Sequence, residues 1–431
     1  TRAGAVAAPL NPAYTIDEFK FYMEDANSQL FITSLSDEAG RKAAESLSIP
    51  VMIAALSSSG RVEFSKAGTS LTRWVDAEPP SPGDAALLLH TSGTTSRPKA
   101  VPLTHGNIMT SIRNISTTYQ LTPYDTAMVV MPLFHVHGLI GVSLSTLSTG
   151  GTIVVPPRFS AGQFWPLQKE TGATWYSAVP TIHQILLARA EDDEAPHTSF
   201  RFIRSCSSAL ARPVFEQLER RFGAPVLEAY GMTEAAHQMA SNPLPPSNHY
   251  AGTVGRGTGV EIAVMDENWN VVPDGAPAHV MIRGANVTHG YLNNPQANAE
   301  SFRDGWFSTG DQGHININGY LTLTGRYKEL INRGGEKISP NEIDEVLLSH
   351  PCVADAVAFA VPDAKYGEAV YATVVLKADS TEEAIRDFCR EHIAEFKVPD
   401  RIIVTDQIPR AATGKIQRRH LTTMYSGDLK A

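Results

Sequence analysis

Leu88-Leu89-His90-Thr91-Ser92-Gly93-Thr94-Thr95-Ser96-Arg97-Pro98-Lys99-Ala100-Val101 sets five hydroxyl side chains, one glycine and a lysine behind an apolar run, Ala85 to Leu89. The run reads as a buried strand. Hydroxyls, free backbone N–H groups and an ammonium suit a polyphosphate, whose oxygens are acceptors only. The P-loop pattern G-x-x-x-x-G-K-[ST] fails here: there is one glycine, and Pro98 directly precedes Lys99. The stretch therefore reads as a phosphate loop of another kind, and its purpose must come from the rest of the chain.

Outward from the loop, short apolar strands alternate with helical patterns through the first 330 or so residues. Ile153 to Val155, Trp175 to Val179 and Pro225 to Leu227 read as strands; Phe164 to Glu170, Ile182 to Ala190 and Val214 to Arg221 read as helices. That alternation predicts an α/β fold with parallel-rich sheets. From about Thr253 the texture becomes β-rich, with Val260 to Met265 and Ala278 to Ile282 predicting a small barrel-like part or antiparallel sheet. The pattern resets after Lys328. Ser339 is expected to cap a helix that begins at Pro340, strands follow at Val353 to Ala360 and Tyr371 to Leu376, and a helix runs from Thr381 to Glu395. The expected domains are residues 1–327, large and α/β, and residues 328–431, a smaller α+β unit.

The chain has 431 residues, 42% of them hydrophobic, and a net charge of -9. An acidic balance argues against nucleic acid as a partner, because no basic excess feeds phosphate neutralisation. Three scattered cysteines form no C-x-x-C pair, which points away from a disulfide framework or a zinc site. No run of 18 apolar residues occurs, so no membrane-spanning helix is expected. The first residues, Gly4 to Pro12, read as interior strand and turn, so the N-terminal domain is expected to be incomplete and this span alone poorly soluble. The last residues do not match S-K-L.

Four further constellations follow in order: Ala229-Tyr230-Gly231-Met232-Thr233-Glu234, Ser308-Thr309-Gly310-Asp311, Gly325-Arg326-Tyr327-Lys328 before Gly334-Gly335-Glu336-Lys337, and Pro409-Arg410-Ala411-Ala412-Thr413-Gly414-Lys415-Ile416. With the opening loop, they closely resemble the adenylate-forming superfamily of acyl- and aryl-CoA synthetases, luciferases and adenylation domains. Two departures stand in the loop, where Ser96 and Ala100 occupy positions usually held by glycine. The resemblance implies a two-step ligase: a carboxylate attacks Mg-ATP to give acyl-AMP and pyrophosphate, and coenzyme A then displaces AMP. The chemistry demands charge neutralisation and in-line positioning, since a carboxylate is a poor nucleophile beside a tetra-anion.

By this resemblance Thr91, Ser92, Gly93, Thr94, Thr95 and Lys99 cradle the β- and γ-phosphates. Thr233 bonds the α-phosphate beside Gly231, Glu234 holds Mg2+, Tyr230 stacks on adenine, and Asp311 and Arg326 hold the ribose. Lys415 reaches the carboxylate and α-phosphate during adenylation, and Lys328 is the hinge of a mobile C-terminal domain that brings Gly334 and Gly335 to the coenzyme A tunnel. His135 matches the gate histidine.

The acid pocket is expected along Phe134-His135-Val136-His137-Gly138, Ser205 to Leu210 and Glu234 to Met239. Donors and little apolar depth suit a small anionic acid. With Ser207, His137 and His237 as its substrate-facing groups, the set most resembles the oxalyl-CoA synthetases, which implies oxalate as substrate and a cytoplasmic or peroxisomal location. A 4-coumarate-like or medium-chain acyl-CoA ligase is the competing enzyme reading. An inactive fragment or nucleotide-binding relative is the non-enzyme reading, against which stands the joint presence of Thr95, Lys99, Glu234, Asp311, Arg326 and Lys415.

Overall fold

The structure, a computed structural model, describes residues 4–66, 69–70, 78–91, 98–190, 199–411 and 414–426. Its contacts divide the chain into two units, Thr1–Ile108 with Thr288–Asn298, and Met109–Val287 with Ala299–Ala431.

In the first unit a four-stranded sheet runs in the order Phe31–Thr33, Val51–Leu56, Val62–Lys66, Thr69–Ser70. Helix Ile16–Asp25 starts with a full capping box, in which Thr15 and Glu18 satisfy each other's backbone N–H groups. Its apolar face buries Phe19 and Met23 against Ala43 and Ala44 of helix Glu38–Ser46. The apolar run of the opening stretch is the strand Ala85–Thr91, paired antiparallel with Lys99–Thr104. The segment expected as interior strand near the start forms only one bridge, Ala7 to Leu87, and Val6 is 47% exposed. A single bridge cannot bury both faces of a strand, so that segment lies at the surface.

The second unit centres on a seven-stranded sheet in the order Arg256–Gly257, His237–Ser241, Val226–Met232, Phe202–Cys206, Trp175–Ala178, Thr126–Met128, Thr152–Val154. From Val226–Met232 to Thr152–Val154 every pairing is parallel, as the alternating pattern predicts. Helices Ala161–Thr171, Pro180–Arg189 and Arg212–Phe222 bury Phe164, Leu186, Phe215 and Leu218 in its core. The last of these helices has proline in its first turn and ends on Gly223 at φ 65, a left-handed cap that glycine reaches without strain. Glu228 sits on a central strand of this sheet with Oε1 accepting from the Gly252 N–H at 2.7 Å. Burial pushes its carboxyl from 4.5 up to about 8. The folded state therefore binds more protons than the unfolded chain across that window, and stability falls as pH rises through it. Glu228→Gln is expected to raise the melting temperature more at about pH 9 than at about pH 5. Thermal melts of both proteins at the two pH values check this, and equal shifts would refute it.

The β-rich region is an antiparallel sheet of Glu261–Met265, Ala278–Arg283, Trp306–Ile315 and Phe302–Arg303, with Leu321–Arg326 added beside Trp306–Ile315. A second antiparallel sheet follows Lys328: Glu336–Ile338, Ile331–Arg333, Gly367–Leu376 and Val353–Asp363, with Arg401–Val404 parallel to Gly367–Leu376. Helices Pro340–Ser349 and Glu382–His392 close its core, which includes Ile343, Leu347, Ile385 and Cys389. Thr381 caps the second of these, its Oγ1 accepting from the Ala384 N–H at 3.1 Å. Ser339 stands at the N-cap position of the first but makes no cap; its hydroxyl donates to the Thr324 carbonyl instead. Tertiary contact wins over the local cap there. Among the described residues no helix is long and apolar enough to cross a membrane.

Candidate active site

In the first unit, Thr91 and Lys99 are the last facing pair of their antiparallel ladder. The Lys99 ammonium lies 4.3 Å from the centroid of the Tyr291 ring. Ser92, Gly93, Thr94 and Thr95, between those two residues, lie outside the described residues.

In the second unit, the strand Val226–Met232 runs into a single turn, Thr233–Ala235, that doubles back as His237–Ser241. The reversal is tight. Ala236 stands at φ 48 and His237 at φ 101, and a Cβ on Gly231 would come within 2.4 Å of the His237 carbonyl oxygen. Such conformations strain a side-chain-bearing residue and are kept where the surroundings enforce them. Thr233 and Glu234 are both buried in the turn. Across the way, the register Asp311↔Arg326 sets a carboxylate against a guanidinium, Nε to Oδ1 at 3.0 Å. The Tyr230 hydroxyl donates to the other oxygen of Asp311, and burial together with that carboxylate pushes Tyr230 well above the usual phenol range.

Lys415 enters from the loop that follows Pro409. Its carbonyl accepts from the Ala411 N–H at 2.8 Å, and Arg410 ties the loop base to Asp355 at 2.6 Å. The tip rests on helix Pro180–Arg189: Thr181 Oγ1 donates to the Gly414 carbonyl at 3.4 Å, and a Cβ on Gly414 would lie 2.9 Å from Val179. With φ 79 as well, residue 414 is confined to glycine on two counts. Burial, then the charge of Arg326, holds the Lys415 ammonium below the ordinary lysine range, while Cys206, Asp311 and Glu234 act in the opposite direction. Burial and the Lys415 charge push His135 down to about 3, so this imidazole is neutral. Lys415, Glu234, Asp311, Arg326 and His135 thus share one electrostatic neighbourhood.

The same neighbourhood holds a group that sequence reasoning passed over. Arg204, on the strand Phe202–Cys206, is fully buried, and among the described residues no carboxylate pairs with it. Its Nε donates to the Tyr119 hydroxyl at 2.8 Å, Nη1 to Ser177 Oγ at 3.2 Å, and Nη2 to His237 Nε2 at 2.8 Å and Gln238 Oε1 at 2.9 Å. A lone arginine within the apolar run of a parallel strand was the available signal. His137 stacks on His237 with centroids 5.2 Å apart, and hydrogen-bonds Ser177 through Nε2 at 2.6 Å and Ser207 through Nδ1 at 3.0 Å. Burial, then Arg204, holds both imidazoles far below the usual histidine range. Gly141, in a π-helical stretch Leu139–Leu144, was also missed. A Cβ there would come within 2.2 Å of the His237 ring, and such local widening of a helix often accompanies a functional site. The structure therefore gathers His135, His137, Ser207, Tyr230, Gly231, Thr233, Glu234, His237, Asp311, Arg326 and Lys415 within one unit.

Lys328 is exposed in the turn after Leu321–Arg326. Gly334 (φ 62) and Gly335 (φ 99) form the two-residue turn between paired strands Ile331–Arg333 and Glu336–Ile338. Two positive φ values in a hairpin turn call for glycine without reference to any ligand.

Residues 1–292 match the AMP-binding enzyme family, and residues 342–415 match the AMP-binding enzyme C-terminal domain. The chain is 50% identical to an oxalate–CoA ligase of Arabidopsis thaliana, an alignment covering 97% of this chain and 83% of that protein. It is 47% identical to an oxalate–CoA ligase of Saccharomyces cerevisiae, over 99% of this chain and 83% of that one. Among solved structures, ATP-bound MatB from Rhodopseudomonas palustris superposes with a TM-score of 0.89 at 31% identity, covering 99% of this chain and 84% of that chain.

Proposed function

The chain belongs to the AMP-binding enzyme family, and from that premise we propose that it is an ATP-dependent acid–thiol ligase whose acid is oxalate. One observation carries the choice of acid. His137 and His237, which feel the charge of Lys415, and their partners Arg204 and Ser207 have no carboxylate of the chain among their partners in the described residues. A buried cation with neutral partners only is costly, and a small dianion would balance it. The names of two similar ligases support the same reading.

In the first step a carboxylate oxygen of the acid bonds to the α-phosphorus of ATP, and the bond to pyrophosphate breaks. In the second, the sulfur of coenzyme A bonds to the acyl carbon and AMP leaves. Lys415 offsets charge between the acid and the α-phosphate, and Thr233 donates to that phosphate. The loop from Thr91 through Ser92, Gly93, Thr94 and Thr95 to Lys99 is assigned the departing pyrophosphate. Tyr230 and Gly231 are assigned the adenine side, Asp311 and Arg326 the ribose, His135 the gate, Lys328 the hinge, and Gly334 and Gly335 the coenzyme A side.

Among the described residues no three His, Cys, Asp or Glu side chains group to hold a metal. The buried carboxylate of Glu234 fits Mg2+ all the same, since that ion takes one or two carboxylates and completes its shell with phosphate and water. Bound there, it would supply charge neutralisation at phosphate.

Pyrophosphate release measured against oxalate, malonate, 4-coumarate and octanoate tests the proposal. Release with coumarate or octanoate and none with oxalate would end it. A second expected result concerns Gly141. An alanine in a helix normally gains about 1 kcal/mol over glycine, yet Gly141→Ala is expected to lose acid turnover by about tenfold or more, because the His237 ring must move aside. Steady-state kinetics with oxalate varied at saturating ATP check it; unchanged kinetics would show that the ring position is not needed.

A further inference from the structure

We infer that Arg204 is the positioning residue that sets hydrogen-bond direction in both arms of the acid pocket, turning His237 Nδ1 and Ser207 Oγ into donors for the second carboxylate of a diacid. The inference deepens the oxalate proposal and rests on it for the ligand, but the direction of the hydrogen bonds follows from the side chains alone.

A guanidinium donates and never accepts. His237 Nε2, 2.8 Å from Arg204 Nη2, must therefore be the lone-pair nitrogen. The neutral ring then carries its proton on Nδ1. That nitrogen has no hydrogen-bond partner among the described residues and lies over Gly231, where a Cβ would come within 2.9 Å of it. A 99% hidden ring thus turns an unspent donor toward the one residue of the strand without a side chain, since His237 is 1% exposed.

The second arm runs through Ser177. Its Oγ accepts from Arg204 Nη1 at 3.2 Å and touches His137 Nε2 at 2.6 Å, and the residue is wholly buried. Arg204 cannot take the serine proton, so His137 Nε2 is the acceptor open to it; the reverse arrangement would orphan a buried hydroxyl proton. His137 consequently holds its own proton on Nδ1 and donates to Ser207 Oγ at 3.0 Å. With that lone pair engaged, the Ser207 O–H is left to donate outward from a half-buried position. Ser207 stands at φ 77 and His237 at φ 101, so both donors sit on residues held in strained backbone.

Two acceptor-only oxygens of a carboxylate are what such a pair of donors fits. A monocarboxylic acid of equal size would leave both unpaired, and a site built to bond a polar group rejects the analogue that lacks it.

Full-length chain labelled with 15N-histidine tests the inference, with the His137 and His237 signals assigned by their loss in His137→Ala and His237→Ala. Both rings are expected to carry their proton on Nδ1. A proton on Nε2 of either ring would overturn the proposal whatever acid the enzyme uses. Kinetics give the second arm. Arg204→Lys replaces a fork by a point charge and is expected to raise KM for oxalate by about 10- to 100-fold with a smaller change in kcat and none in KM for ATP. Arg204→Met, accepted as folded if ATP raises its melting temperature as in the parent, is expected to narrow the preference for oxalate over glyoxylate. An unchanged preference in that folded variant would overturn the assignment. If the parent enzyme itself prefers glyoxylate or acetate to oxalate, the diacid reading fails, while the two tautomers still decide the role of Arg204.

Discussion

Lys415→Ala is expected to lose acyl-adenylate formation by about 10²- to 10³-fold while still converting supplied acyl-AMP to the thioester at close to the parental rate. The split follows from where the ammonium stands. It is half-buried within electrostatic reach of Arg326, Glu234, Asp311 and His135, and the chain gives it no ion pair among the described residues. Its charge is therefore available to a reaction in which two anions approach, and it has no comparable task once the phosphorus–oxygen bond to pyrophosphate is gone. The pH dependence has a definite sign. Burial holds this ammonium below the ordinary lysine range, so the adenylation rate is expected to fall on the alkaline side at a pH below that of an ordinary lysine. Pyrophosphate release and the thioester half-reaction, each followed across the alkaline range, measure both effects. Equal loss in the two half-reactions would refute the assignment.

His237→Ala is expected to lower kcat/KM for oxalate by about 100-fold and leave the affinity for ATP near that of the parent. Three things go at once: the Nδ1 donor, the acceptor for Arg204 Nη2 at 2.8 Å, and the ring stacked on His137. Removing one partner of a buried charged hydrogen bond costs about 1.5–3 kcal/mol, and an enzyme that used the donor as well loses more. The position stands at φ 101, which alanine tolerates poorly. His237→Asn is therefore the companion variant, since asparagine tolerates positive φ better and brings an amide donor. Partial recovery of oxalate use by asparagine over alanine is the expected order. Equal oxalate kinetics in parent and alanine variant would remove His237 from the pocket.

The parts of the site that could be read in the sequence are those whose chemistry is carried by a short local pattern. Thr233-Glu234 at the end of a strand, the acid at Asp311 and the Gly414-Lys415 tip each need only a few neighbouring residues to make sense. The partnership of Asp311 with Arg326 adds a single strand register. Arg204 and Gly141 were not legible, because each is defined by residues far along the chain: Tyr119, Ser177 and Gln238 for the first, the His237 ring for the second. Ser339 failed as a cap for the same reason, its hydroxyl being drawn to Thr324. Gly334-Gly335 has, beside the role the resemblance implies, a conformational one of its own in a tight hairpin turn. The α/β pattern was legible through its alternation, whereas the near-absence of pairing at Ala7 was not, since an apolar string looks the same whether or not a sheet lies on each side of it.

The Arg204 network carries a consequence for how selectivity can change over evolutionary time. Ser177, His137, Ser207, His237 and Gln238 all take their hydrogen-bond direction, directly or through a short relay, from a single guanidinium. Replacing any one of them by the small or apolar residue suited to a fatty or aromatic acid leaves others mispaired in a dry interior, so the first step toward a new acid is a loss of activity with no new preference gained. The pocket is thus epistatic as a block: acid preference would be inherited, and engineered, by exchanging the whole set at once, and single-site libraries around it would return mostly dead enzymes.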